Sequence, residues 1–304
     1  MQLSRFKRLA SAMMVASIVT ALVIPQGAFA APSVKISGST TVQPLGQKWA
    51  RAYKKLNPSW TITVAGGGSS VGFKDAAAGR VDIGMSSRDP KSSDPQGLVN
   101  TVIARDSLSV VVNPKNPVRK LTEAQIRDIY HGKITNWKQV GGRNARIVLA
   151  GRTGASGTYE YFKEAFLGGK RQSSRTKGYA SNGMVRSAVA RNQYAIGYIG
   201  MAFVNRSVKA VSIDGVAATR ANAMNGKYKY VRPLYFITKG APKGDAKKFI
   251  DWCKSSAGQR IASSEFPPSS SRLHEQVSRV RPSTAPGSSR VTTLSTFTWE
   301  SHDE

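Results

Sequence analysis

The chain has 304 residues, with 45 Lys and Arg against 17 Asp and Glu, a formal charge of +28, and a single cysteine. One cysteine excludes an intramolecular disulfide. Such a charge suits nucleic acid, an anionic surface or small anions, but the basic residues are scattered, with no arginine-rich run and no stacked-aromatic motif, so no nucleic-acid partner is expected.

Residues 1–30 read as a secretory signal peptide. Arg5, Lys7 and Arg8 precede the apolar run LASAMMVASIVTALVIP, and Ala28 and Ala30 occupy the small-residue cleavage positions. The run is shorter than the roughly 20 residues a spanning helix prefers. No cysteine follows Ala30 to carry a lipid, and no later segment is apolar for long enough to span a bilayer. The expectation is an exported, soluble monomer.

Strand-like and helix-like segments then alternate. SVKISG reads as a strand. In TTVQPLGQKWARAYKKLNP, Val42, Leu45, Trp49, Tyr53 and Leu56 recur at helical spacing. Pro44 fits only the first turn, and Pro58 ends the helix. WTITVAGGG is a strand, SSVGFKDAAAG a short helix closed by Gly79, and VDIGMSS a strand. The apolar run LSVVVNP leads to LTEAQIRDIYHG, where Thr122 and Gln125 form a capping box and His131 ends the helix as a cap or solvated group. ARIVLAG is a strand. The helix after it carries Tyr159, Phe162 and Phe166 on one face and closes at Gly168. NGMVRSAVA is a helix, YAIGYIG a strand and YKYVRPLYFITKG an extended segment. GDAKKFIDWCKSSAGQRI reads as one last helix, with Cys253 as buried filler on its apolar face. Residues 262–304, rich in Ser, Pro, Thr and Arg without periodicity, read as a disordered tail. The βαβα order predicts an α/β fold with mostly parallel strands, its ligand beyond their carboxyl ends where helices begin.

One local design occurs three times. A strand empties into a small-residue turn that opens a helix at Gly38–Thr41, at Gly66–Ser70 and at Arg152–Thr158. Each turn taken alone is ordinary capping chemistry. Three converging on a point would offer N–H groups and hydroxyls to a tetrahedral oxyanion, with Arg152 as charge partner. The third turn, GRTGASGT, is not a nucleotide loop, because Ser156 stands where the pattern G-x-x-x-x-G-K-[ST] needs glycine and no lysine follows. A free oxyanion can be enclosed by neutral donors without that lysine and without a metal. Enzyme chemistry fits less well. His131 is the one histidine outside the tail residues His274 and His302, no Cys/His cluster has zinc spacing, and no G-x-S-x-G elbow occurs. No catalytic residue, metal or cofactor is expected.

The motifs SGSTTVQPLGQKWARAY, GGGSSVGFKDAAAGRVDIGMSSR, LTEAQIRDIYHGKITNWKQVGG, RTGASGT and AIGYIG together resemble the PstS-like family, the periplasmic phosphate-binding proteins of the bacterial phosphate ABC transporter. The resemblance covers nearly all of residues 34–261. It implies a two-lobed periplasmic-binding-protein fold of type II, with two mostly parallel sheets flanked by helices. Two crossing strands near LSVVVNP and VRPLYFI would act as hinge. One lobe would be residues 31–112 plus 232–261 and the other 113–231. Inorganic phosphate would be enclosed in the cleft and delivered to a membrane permease. The ligand positions carried over are Ser39 and Thr40; Ser69 with Ser70 beside it; and Arg152, Ser156, Gly157 and Thr158. Several members have Asp where this chain has Ser87, followed by Arg88. An Asp there accepts a proton from phosphate and repels sulfate, whereas Ser87 accepts without repelling and Arg88 would add unselective attraction. Gly154 stands where an acidic residue often steadies the arginine. Rival readings are a receptor for another oxyanion such as sulfate, a secreted phosphate-ester hydrolase on the same scaffold, and a basic surface protein that binds anionic polymers.

Overall fold

The computed structural model describes residues 31–264 and 266. The signal-peptide reading, and the tail reading beyond those residues, lie outside it. In chain order the elements are β1 (Ser33–Gly38), α1 (Gln43–Leu56), β2 (Thr61–Gly67), α2 (Ser69–Ala77), β3 (Ile83–Ser86), β4 (Leu98–Val112), β5 (Lys120–Leu121), α3 (Glu123–His131) and β6 (Val148–Arg152). They continue as α4 (Gly157–Leu167), β7 (Lys177–Tyr179), α5 (Asn182–Arg191), β8 (Ala195–Gly200), β9 (Lys209–Ala210), β10 (Ser212–Ile213), α6 (Arg220–Met224), β11 (Val231–Lys239), α7 (Gly244–Lys254) and α8 (Ser256–Ser263).

The main sheet runs in the order β2-β1-β3-β11-β4-β8-β6-β7, with β9 beside β4. Pairs joined through helices are parallel: β1 with β2 and β3, and β6 with β7 and β8. The antiparallel pairs involve β4 and β11. The main strands lie on one path because β4 is 15 residues long, while β5 and β10 pair apart as a two-stranded parallel sheet. Its Leu98–Ser107 half pairs with β11, and Leu108–Val112 pairs with β8. The apolar run LSVVV is only the second half of β4. The first half is interrupted by Asn100, Arg105 and Asp106, which obscure the strand in the sequence.

Two main cores flank this crossing. One gathers Val34, Leu45, Trp49, Met85, Leu234 and Phe249. The other gathers Leu108, Ile129, Tyr130, Phe162, Ile196 and Tyr198, with Phe162 stacked on Tyr198 at 3.9 Å between ring centroids. Burying each such side chain contributes roughly 1.5–3 kcal/mol against chain entropy. Val42 and the periodic residues of α1 are buried up to Tyr53, but Leu56 is 66% exposed because the helix ends there beside Asn57. The Thr122–Gln125 capping box opens α3 and Gly132 closes it in the left-handed conformation. Gly168 closes α4 in the same way. The last helix is two helices. Ser255 adopts an extended conformation, and its Oγ caps α8 by accepting from Gly258 N–H, so a side chain stands where α7 would have continued. Cys253 is fully buried, and burial pushes its thiol well above the ordinary value, as suits an inert filler.

Candidate functional site

The three turns meet. Gly68 N–H donates to the Gly38 carbonyl at 2.9 Å, joining the first turn to the second. Ser70 N–H donates to the Ala155 carbonyl at 3.2 Å, joining the second to the third. Arg152 Nη2 donates to Thr40 Oγ1 at 2.9 Å, and Thr41 Oγ1 lies 3.1 Å from Thr158 Oγ1, joining the third to the first. Two glycines allow the approach. Gly68 has φ +101°, and a Cβ there would stand 2.4 Å from the Ala155 oxygen. A Cβ on Gly157 would stand 2.1 Å from Ser69 Oγ and 2.9 Å from Ser87 Oγ. The starts of α2 and α4 therefore abut, with Ser87 at the end of β3 beside them.

A helix start leaves its first N–H groups without partners in the helix. Among the described residues, the N–H groups of Thr40, Ser69, Gly157 and Thr158 have no acceptor. They are the uncommitted donors of the three turns, and the positive ends of α2 and α4 point with them. Hydroxyl groups complete the set. Ser156 Oγ caps α4 by accepting from Tyr159 N–H at 3.3 Å, and Ser69 Oγ accepts from Ser87 N–H at 3.1 Å. Each keeps its own proton to give.

Arg152 supplies the charge. It is 2% exposed and its backbone N–H donates to Tyr198 Oη at 3.0 Å. Its Nε donates to the Tyr179 carbonyl at 3.1 Å, and Nη2 donates to the Ala180 carbonyl at 2.9 Å as well as to Thr40. These acceptors hold the guanidinium without a carboxylate at position 154, where a Cβ would meet nothing within 4 Å. Burial lowers its pKa to about 10, so it stays charged at neutral pH. Among the described residues its Nη1 has no acceptor. A buried cation with no anionic partner is costly unless an anion completes it.

Three expected ligand residues have groups committed elsewhere. Ser39 N–H already donates to the Met85 carbonyl at 2.9 Å, and its Oγ accepts from Thr41 N–H at 3.2 Å; only its hydroxyl proton is left to offer. Arg88 forms two 2.7 Å bonds to Asp94 and lies 4.6 Å over the Phe73 ring, so its charge is neutralised by a carboxylate and does not stand as free attraction for an anion. Ser70 is half-buried beside Ser69, with its N–H spent on Ala155.

A second buried group went unread in the sequence. Arg232, on β11, donates to Asp106 Oδ2 from Nε at 3.1 Å and from Nη2 at 2.7 Å, and both side chains are fully buried. Burial pushes the Asp106 carboxyl up, while Arg232 pulls it down. Nη2 also reaches Thr158 Oγ1 at 3.1 Å and Thr41 Oγ1 at 3.4 Å. Asn182, opening α5, donates to Thr41 Oγ1 at 2.9 Å. The available signal was the pair Arg105 and Asp106 leading into the apolar run LSVVV, and Arg232 inside the extended segment YKYVRPLYFITKG.

The PBP superfamily domain profile matches residues 24–257. The phosphate-binding protein PstS of Bacillus subtilis (strain 168) is 34% identical over 230 residues, covering 74% of this chain and 76% of that protein. The chain belongs to the PstS family of the PBP superfamily. Among solved structures, a protein assigned as a phosphate ABC transporter substrate-binding protein from Clostridium perfringens, with bound phosphate, is 40% identical with a TM-score of 0.75. It matches 78% of this chain and all of that one. An ABC-type phosphate transport receptor from Vibrio cholerae is 33% identical with a TM-score of 0.64, over 76% of this chain and 98% of that one. The family resemblance and the α/β periplasmic-binding-protein fold expected from the motifs are thereby established for this PstS-family chain. Among its described residues no helix is long and apolar enough to cross a membrane.

Proposed function

We propose that the chain is an exported receptor that captures inorganic phosphate and delivers it to an ABC permease. The ligand lies between two lobes, residues 31–112 plus 232–261 and residues 113–231, with β4 and β11 as hinge. The observation that carries this reading is Arg152, a buried guanidinium whose Nη1 has no acceptor among the described residues, next to N–H groups of three helix-opening turns that no described residue claims. An oxyanion placed there accepts from Arg152 Nη1, from Thr40, Ser69, Gly157 and Thr158 N–H, and from the Ser39, Ser156 and Thr158 hydroxyls. These charge-assisted bonds replace its hydration shell, and hinge closure brings the donors of both lobes onto it. Binding and release need no covalent step, so the reading is a carrier and not an enzyme. A hydrolase would turn over a chromogenic phosphate ester, and no turnover is expected.

Ser87 keeps sulfate as the second reading. Its hydroxyl lies 3.5 Å from Ser69 Oγ and can turn to accept a proton from phosphate, but it carries no charge to repel sulfate. The test is calorimetric titration of protein stripped of co-purified anion, with phosphate alone and in excess sulfate. Tight one-to-one binding that survives sulfate is expected. Binding erased by sulfate would move the function to a broader oxyanion receptor, and binding of neither anion would overturn the reading.

A further inference from the structure

The motif LTEAQIRDIYHGKITNWKQVGG takes no part in the anion site, yet it builds a groove at the other end of β6. Ile147 N–H donates to the Thr135 carbonyl at 2.8 Å and Trp137 N–H to the Ala145 carbonyl at 2.9 Å, which stitches the segment after α3 along the entry to β6. Beside this seam opens a groove of about 250 Å³, with Ile129, Ile134, Ile147 and Leu149 as its apolar lining. β7 pairs with β6 only from Ala150 onward, so β7 leaves the first residues of β6 uncovered, and Val148 is 42% exposed at the groove. At about 3.3 Å per strand residue, Val148 lies roughly 13 Å from Arg152. The groove is therefore separate from the anion site.

Two arginines, Arg146 and Arg175, complete the lining together with Thr135. Arg175 Nη2 donates to the Gly132 carbonyl at 3.2 Å, which fixes the side chain against the end of α3 and uses one of its five N–H donors. Among the described residues neither arginine forms an ion pair. Asp128, the carboxylate next to Ile129, lies 3.7 Å from Arg127 and from Lys133 instead. No carboxylate lines the groove, so it repels a cation, and its two charges remain for an anion with an apolar body. We propose that this groove is a second binding site, for a short-chain aliphatic carboxylate, with the chain against the isoleucines and the head at Arg146 and Arg175. Guanidinium groups take a carboxylate through paired N–H bonds, and each methylene removed from water adds to affinity. At about 30 Å³ per water-sized group the volume holds roughly eight such groups, the size of a six-carbon acid.

The experiment is a methyl-NMR titration of the protein in saturating inorganic phosphate, which keeps the anion site occupied. The probes are hexanoate, acetate and hexan-1-ol. Hexanoate should give saturable shifts at the methyl groups of Ile129, Ile134, Ile147, Val148 and Leu149. It should bind about tenfold more tightly than acetate, which lacks the chain, and than hexan-1-ol, which lacks the charge. Arg146→Gln should weaken hexanoate by about 2–5-fold, the range for one exposed ion pair. The double variant Arg146→Gln/Arg175→Gln should bind hexanoate no better than hexan-1-ol. Phosphate affinity, read by calorimetry, should stay at the wild-type value in both variants. Arg175 also closes α3, so Arg146→Gln, at an exposed side chain without that duty, carries the test if the double variant fails to fold. Equal binding of hexanoate and hexan-1-ol by wild type would overturn the inference. So would hexanoate affinity unchanged in Arg146→Gln, the absence of saturable shifts, or shifts gathered at the Arg152 turn instead of the groove.

Discussion

Gly157 has no side chain because Ser69 occupies the space one would need. A Cβ would lie 2.1 Å from Ser69 Oγ, so adding a methyl group must push the start of α4 away from the start of α2. Both helix starts contribute unclaimed N–H groups, and a misplacement of 1 Å weakens charge-assisted bonds sharply. Gly157→Ala should therefore weaken phosphate binding by about 100-fold or more, read by calorimetry, while the fold measured by circular dichroism persists. Arg152, Ser156, Gly157 and Thr158 were legible in the sequence because the turn chemistry is contiguous. Arg232 and Asp106 were not. They lie 126 positions apart, and only the register of β11 on β4, where they are direct partners, brings them together.

The elements were legible where period and caps agree. The Thr122 capping box, the Gly168 stop and the Pro44 start of α1 all mark boundaries through local chemistry. They were hidden where tertiary contacts decide, as with the first half of β4 and the break at Ser255. Contacts between elements also carry a prediction. Lys91, in the loop after β3, pairs with Glu160 on α4, which Lys163 also approaches at 3.3 Å. Burial opposes ionisation of Glu160, but these two lysines hold the carboxyl below its ordinary value of 4.5. A carboxyl held low contributes stabilisation that is complete above its ordinary pKa and lost as pH falls through the depressed value. Glu160→Gln should therefore speed phosphate release at pH 7 by about 2–5-fold, the range for one partly exposed ion pair. Stopped-flow release rates of variant and wild type should converge only when the pH drops below the ordinary carboxylate range.

At the scale of the whole molecule, β4 and β11 join two cores across one sheet path, and the three turns meet at the starts of α2 and α4. A charge of +28 raises the local concentration of anions and their rate of encounter, an effect that salt screens. The excess is general, whereas the site is specific, because Arg152 is buried and fixed beside the starts of α2 and α4 with a guanidinium nitrogen that no described residue accepts from. The measurement that tests this most directly is a crystal structure of the protein with phosphate. The account predicts one phosphate with an oxygen about 2.7–2.9 Å from Arg152 Nη1. The remaining oxygens should accept from the N–H groups of Thr40, Ser69, Gly157 and Thr158. Phosphate bound away from Arg152, or bound with Nη1 still without an acceptor, would contradict it.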